Sequence, residues 1–478
     1  MAGDELHWRT ARELAGALAR RELSSVELTR HTLARIAAVD GAVNAIPTVV
    51  PEQALAAAQA ADARAAAAAR AGEPLPPLHG LPIAIKDLMD TAGIRTTYGS
   101  PIHADHVPTR DSLLAERLRA AGAIIVGKTN TPEFGAGSQT FNPVFGPTRN
   151  PHDLTRTVGG SSGGAAAALA AGLLPLADGS DLGGSVRNPA SFCNVVGLRP
   201  SPGRIPSGRP GNAWDPMSLL GPMARDVRDA GLLLAALAGR DDRAPIALDD
   251  DPAPFAAIEA ADLRGVRIGW SRTVDGLPVD PAVTAVLETA RAVLVALGAE
   301  VVDHEPDLAG ADEAFETFRA FELFAAHVGD YEAAPHLIKP VLAQNIRDGA
   351  ALSAAQLARG AELRTEVYRR TQHLLETRFD LLALPTVQVP PFPVEQEWVT
   401  EIEGIAMEQY FTWMRSCTRI SATTLPALSV PAGFTPQGLP VGLQLVGRHR
   451  DELTLLRRAA AFEDATQHWR RRPAQVPA

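Results

Sequence analysis

The sequence predicts an α/β layer fold, one large domain built around one large β-sheet. Three observations carry the prediction. Short apolar runs bounded by Gly and Pro alternate with longer helical patterns over most of the 478 residues. A hydrophobic content of 46% against 21% charged leaves ample material for a core. No polar, repetitive or low-complexity stretch is long enough to separate two domains, so residues 1–478 read as a single domain with helical excursions.

Residues 1–75 read as helices. Ser24 with Glu27 makes a capping box, and Val26, Leu28, Leu33 and Ile36 recur at helical spacing. An Ala-rich helix over 51–71 stops at Gly72 and the Pro-rich stretch beyond it. From about residue 78 the texture changes. Strands are predicted at 82–85 and 123–126, the second after a helix over 111–121. The run GGAAAALAA at 163–171 reads as a helix opened by glycines, with a strand following at 173–177. Later strands are predicted at 266–270, 300–303, 381–384, 427–430 and 441–446. Long helices fall near 280–297, 312–328, 353–378 and 452–464.

The charge balance excludes some functions. With 45 basic and 55 acidic side chains the net charge is -10, and no Lys/Arg stripe offers a face to phosphates, so no nucleic-acid partner is expected. The cluster Arg470–Arg472 reads as a solvated tail. Two cysteines, Cys193 and Cys417, make neither a disulfide framework nor a zinc site, which fits a reducing compartment. The opening Met-Ala-Gly-Asp-Glu begins no apolar run of signal or membrane length, so a cytoplasmic protein without membrane contact is expected. Only three of the 45 basic residues are lysines: Lys86, Lys128 and Lys339. Arginine cannot be deprotonated in a protein, whereas a buried lysine can become a neutral base, so a retained lysine marks a place where chemistry could need one.

Three segments stand out. Lys86 ends the apolar run beginning at Leu81; Gly159-Gly160-Ser161-Ser162-Gly163-Gly164 opens a helix; and Gly179-Ser180-Asp181-Leu182-Gly183-Gly184-Ser185-Val186-Arg187 follows a strand. A phosphate cradle is one reading of such loops, but the Gly-Lys-Ser/Thr ending and the dinucleotide spacing are both missing. Residues 160–164 match the G-x-S-x-G elbow, which would make Ser162 a nucleophile. That elbow needs a strand before it, and 150–157 carries Pro, His, Asp and Arg instead. A flexible linker is opposed by the apolar patterns on both sides. Acyl transfer by a serine assisted by a lysine remains: a desolvated lysine can serve as base, and a Gly-Gly-Ser turn can aim several amides at an oxyanion.

At these residues the chain resembles the amidase signature family. The match spans nearly the whole length and is strongest over 81–206. It includes Gly127-Lys128-Thr129-Asn130-Thr131-Pro132-Glu133-Phe134 and Phe192-Cys193-Asn194-Val195-Val196-Gly197-Leu198. It extends through Gly221-Pro222-Met223-Ala224-Arg225-Asp226-Val227 and Leu425-Pro426-Ala427-Leu428-Ser429-Val430-Pro431. The resemblance implies a mixed central sheet covered by helices on both faces. It also implies a catalytic core over 78–240, and a 305–380 excursion that shapes the substrate pocket.

It further implies a Ser–cis-Ser–Lys triad: Ser185 as nucleophile, Ser161 as the bridging serine after a cis bond to Gly160, and Lys86 as general base. The amides of Leu182, Gly183, Gly184 and Ser185 resemble the oxyanion hole, and Gly135 sits where the family offers a backbone contact to the scissile amide. Departures are Leu182, Val186, Ala165 and Thr131, none of them in the triad. The implied reaction draws a proton from Ser185 through Ser161 to neutral Lys86, forms an acyl-enzyme and returns the proton to the departing amine. Activity should then rise with pH; a rate flat between about pH 6 and 9 would count against Lys86 as the base.

Other residues read as supporting. Lys128 is expected to bond loop carbonyls, Asp181 and Arg187 to pair beneath the nucleophile loop, and Ser162 and Ser180 to assist the relay. Cys193 is expected to fill core. His103 and His106 make no convincing metal pair, so neither metal nor cofactor is expected. Two activities share such a site: a free-standing hydrolase of carboxamides, anilides, esters or carbamates, and the glutaminase subunit of a tRNA-dependent amidotransferase. The stretch from Tyr410 to Thr423 looks more like free-standing amidases. The expected partner is therefore a small-molecule amide or carbamate, and a homodimer is compatible with the sequence. Phe134, Phe318, Phe321, Trp398, Phe411 and Trp413 are the expected pocket walls.

Overall fold

The computed structural model describes residues 3–208 and 211–476, so Met1 and Ala2 of the N-terminal reading lie outside the described residues. Strands β1 (Pro82–Lys86) and β2 (Ile124–Thr129) pair in parallel, and Thr48–Val49 adds an antiparallel edge to β2. The main sheet holds β3 (Leu176–Asp181), β4 (Val196–Arg199), β5 (Leu219–Ala224), β6 (Arg267–Trp270), β7 (Glu300–Asp303), β8 (Leu381–Pro385), β9 (Ala427–Phe434) and β10 (Pro440–Val446). Their order is β7-β6-β8-β10-β9-β4-β5-β3. The sheet is mixed: β6 pairs in parallel with β7 and β8, and the other neighbours are antiparallel.

Both faces are covered, and the period of two along a strand shows how. In β8, Leu381 and Ala383 join one core while Leu382 and Leu384 join another. The first core also takes leucines from helices Val227–Leu237, Pro281–Ala296 and Glu452–Thr466. The second takes Phe315 from a helix at Ala311–Ala333, Val367 and Leu375 from Ala354–Thr377, and Ile420 from Arg415–Thr423. The α/β architecture with a mixed sheet is as the sequence predicts. Among the described residues, no helix is long and apolar enough to cross a membrane.

Several elements differ from expectation. The predicted strands at 82–85 and 123–126 form their own small sheet rather than joining the large one. The strand predicted at 173–177 starts at Leu176 and runs through Asp181. Leu173 instead closes the preceding helix, its N–H donating to the Ala168 carbonyl at 2.8 Å. Strands β4 and β5 are not expected from the sequence; the first has four residues, and the second contains Gly221-Pro222. The capping box does form: Ser24 and Glu27 exchange bonds of 3.1 and 2.9 Å at the start of Ser25–Val43.

Candidate active site

Lys86 ends β1 fully buried. Its Nζ donates to Ser161 Oγ at 2.8 Å, Ser162 Oγ at 2.8 Å and Ser180 Oγ at 2.9 Å. Three hydroxyls match the three donors of an ammonium, and a hydroxyl can also donate to a neutral amine, so the cradle suits either protonation state. The serines arrive from two directions. Ser161 and Ser162 precede the helix Gly163–Ala170, and Ser180 lies in β3. The Gly160–Ser161 bond is cis, as the resemblance implies. Asn188 clasps that peptide unit: Gly160 N–H donates to Asn188 Oδ1 at 2.9 Å, and Asn188 Nδ2 donates to the Gly160 carbonyl at 2.5 Å.

The elbow reading of Ser162 fails on a different ground from the one the sequence suggests. A short strand, Asp153–Thr157, does precede the loop. Ser162 is nevertheless fully buried, with its Oγ taken up by Lys86 and by the Ser180 N–H at 3.2 Å, so it is not presented as a nucleophile. Its own N–H donates to the Ser185 carbonyl at 3.0 Å, which ties the two serine loops together.

The turn after β3 is shaped by one carboxylate. Asp181 Oδ1 accepts Gly184 N–H at 2.8 Å, and Oδ2 accepts Val186 N–H at 3.2 Å. Arg187 reaches the carboxylate at 2.9 and 3.0 Å and Arg199 at 3.2 Å, all three side chains being fully buried. Burial opposes ionisation of Asp181, but Arg187 and Arg199 overcome it and hold the carboxyl well below the usual range. Gly184 takes φ +121, and a Cβ placed there would lie 2.4 Å from Cys417 Cβ, so this turn requires glycine. Ser185, Leu182 and Gly183 line an adjoining cleft of about 710 Å³, together with Ser161 and Gly135. One expectation is corrected here: the Gly184 amide, expected in the oxyanion hole, is engaged by Asp181. Leu182, Gly183 and Ser185 are the members of the turn on the cleft wall. Gly135, at φ +71, is near Ser161; a Cβ on it would lie 3.6 Å from Ser161 Oγ.

Beneath Lys86 lies a carboxyl that sequence reasoning missed. Asp178 Oδ1 accepts the Lys86 backbone N–H at 3.0 Å, while Oδ2 has no hydrogen-bond partner among the described residues. Burial pushes this carboxyl up to about 6, against the Lys86 amide and the Lys128 charge. The folded state therefore binds this proton more tightly than the unfolded chain does. The stabilisation is present below the ordinary carboxylate range and is lost as pH rises through about 6. Asp178→Asn is expected to gain on wild type by on the order of 2 to 3 kcal/mol as pH rises from about 4 to about 8. Denaturant titrations at both pH values check this, and a constant difference between the two proteins would refute it.

Lys128 sits as expected, donating to the Met89 carbonyl at 2.5 Å, Thr91 Oγ1 at 2.9 Å and Thr96 Oγ1 at 3.1 Å. Cys193 is a buried core filler. His103 and His106 pack on Tyr98, and among the described residues no group of three His, Cys, Asp or Glu could hold a metal ion.

Of the expected pocket walls, Phe134 and Phe411 line the cleft. Trp413 does not; it is fully buried, stacked on Phe192 at 5.5 Å and donating its Nε1 to Ser138 Oγ at 2.9 Å. Phe318, Phe321 and Trp398 are also absent from the wall, Phe318 lying under the Arg364 guanidinium at 4.2 Å. Phe315, Met414 and Leu323 take their places. Of the residues missed, Asn188 stands beside Arg187 in the quoted motif. Asp178 and Arg199 carried only the signal of a charge inside an apolar run.

The Amidase family model matches residues 27–456. A glutamyl-tRNA(Gln) amidotransferase subunit of Moorella thermoacetica is 40% identical over 98% of this chain and 99% of its own length. An acylamidase of Rhodococcus erythropolis is 36% identical over 98% of each chain. The solved structure of a bacterial aryl acylamidase of the amidase signature enzymes superposes with a TM-score of 0.91 at 30% identity, covering 99% of this chain and 100% of that one.

Proposed function

This chain belongs to the amidase family and hydrolyses carbon–nitrogen bonds of linear amides, and we propose that it does so through an acyl-enzyme on Ser185, relayed by Ser161 to neutral Lys86. The observation that carries this reading is the buried Lys86 Nζ at 2.8 Å from Ser161 Oγ, with Ser161 and Ser185 opening on the same cleft.

In the mechanism Ser185 Oγ attacks the carbonyl carbon while its proton passes to Ser161, whose own proton passes to Lys86. The tetrahedral oxyanion collects on the amides of Leu182, Gly183 and Ser185. Gly135 steers the amide by its backbone. Collapse breaks the C–N bond, and the relay run backwards delivers the proton to the leaving nitrogen. Water then attacks the Ser185 ester by the same relay and releases the acid. No step calls for a cofactor. The substrate is a small carboxamide, anilide, ester or carbamate, which the apolar cleft walls support, and the 305–380 segment shapes its pocket through Phe315 and Leu323. The net charge of -10 supports a protein that works without nucleic acid, and two free, buried cysteines support a cytoplasmic one.

Arylamine release from a panel of acyl anilides and aryl carbamates, with Ser185→Ala as blank, tests the proposal. Wild type is expected to release arylamine and the variant to fall by about 10⁴-fold or more; equal release from both would mean another nucleophile. The 40% identity to the Moorella amidotransferase protein favours a second reading, a glutaminase that passes ammonia to a partner. Ammonia from glutamine, with no arylamine from any anilide, would select it.

A further inference from the structure

The helix Ala311–Ala333 presents one face to the cleft, through Phe315, Arg319, Leu323 and His327. Its inner end is fixed against the nucleophile turn: a Cβ on Gly183 would lie 2.7 Å from Phe315 Cζ. Arg319, four residues on, stands about 6 Å further along the axis. Its side chain is 4% exposed. The guanidinium donates to Asn345 Oδ1 and to the Tyr410 hydroxyl, and lies 4.8 and 4.6 Å from the ring centres of Tyr410 and Phe411. All of these partners are neutral.

The other charged side chains on the cleft wall are already engaged. Arg243 meets Asp241 and Glu116 at 2.9 and 2.7 Å, Asp330 lies 3.3 Å from His103, and Asp111 accepts from Arg119 at 2.9 Å. Asp90 accepts the Tyr98 hydroxyl at 2.5 Å and Glu322 accepts Asn212 Nδ2 at 2.7 Å. Arg319 is a desolvated cation on the wall that forms no ion pair within 4 Å among the described residues; Glu316, three residues earlier on the helix, feels its charge but pairs with Arg415 at 3.5 Å. Such a charge gains most from an anion brought to it, and the planar guanidinium fits a carboxylate.

We infer that Arg319 is a specificity-determining residue that binds a carboxylate carried by the substrate about one helical turn from the scissile carbonyl. The substrate class is then half-amides of dicarboxylic acids, with an apolar spacer lying between Phe315 and Phe411. This rests on the reading of the cleft as the amidase site.

The test pairs the half-anilide of adipic acid with hexananilide, which match in length and differ in the terminal carboxylate. Wild type is expected to favour the half-anilide by about tenfold or more in kcat/KM. Arg319→Met should abolish that preference through KM while changing hexananilide turnover by less than about threefold, and Arg319→Lys should keep part of it. A wild type without preference for the carboxylate, or a Met variant that slows both substrates alike, overturns the inference; the latter is what a purely structural arginine would do. Turnover of neither compound by wild type would count against the free-standing anilide hydrolase, and the inference, which rests on it, would fall with it.

Discussion

Lys86→Met is expected to lower amide hydrolysis by about 10³-fold or more while the chain still folds. Methionine fills most of the volume of the lysine stem, and of the three hydroxyls it abandons Ser162 Oγ still accepts the Ser180 N–H at 3.2 Å. What disappears is the nitrogen 2.8 Å from Ser161 Oγ that can take up and return a proton. Lys86→Arg makes the role explicit. It keeps the positive charge and the donors but cannot be deprotonated, so a base is lost as completely as in the methionine variant. Single-turnover arylamine release with thermal melts of each variant checks this. An arginine variant within about tenfold of wild type would show that position 86 supplies charge and not base catalysis.

Asp181→Asn is expected to destabilise the fold by about 3 to 5 kcal/mol, because it strands two buried guanidiniums, Arg187 and Arg199, around a neutral amide. Asparagine also replaces an acceptor of the Val186 and Arg187 N–H groups with a donor. Urea titration at neutral pH measures the loss, and a change under about 1 kcal/mol would mean that the network contributes little. The pH behaviour separates Asp181 from Asp178. Asp181 is held below the ordinary carboxylate range, so its contribution is full above that range and is lost only as pH falls through its depressed value. Asp178 is pushed up to about 6 and runs the other way. Two carboxyls three residues apart on one strand thus oppose each other, since one meets two arginines at hydrogen-bond distance and the other a backbone amide, with its lysines too weak to offset burial.

The proposed catalytic residues are more legible in the sequence than the side chains that support them. Lys86, Ser161 and Ser185 sit in long motifs whose residue types the proposed reaction demands; Ser161 and Ser185 line the cleft, and buried Lys86 bonds Ser161 from behind it. The Asp181–Arg187 pair is readable because both residues flank one turn. Arg199 joins the same carboxylate from β4, a strand that the sequence does not announce. The aromatic wall shows the limit most clearly. A helix over 312–328 is evident from its periodicity, yet periodicity does not say which face meets the cleft. Phe318 and Phe321 are the expected wall residues, and Phe315 with Arg319 lie there instead.

The sequence by itself determined the alternation of strand and helix, the helix caps and which residues are candidates for the reaction, because each rests on residue type and spacing within a few turns of chain. The tertiary structure alone decided that the Gly184 amide is turned to Asp181, that Asp178 is buried beneath Lys86, and that Arg319 lines the cleft. These depend on desolvation and on partners from other elements: Lys86 and Asp178 are 92 residues apart, and Arg319 and Tyr410 are 91 apart. A buried polar group takes its charge state from what surrounds it, and those surroundings exist only once the chain has folded.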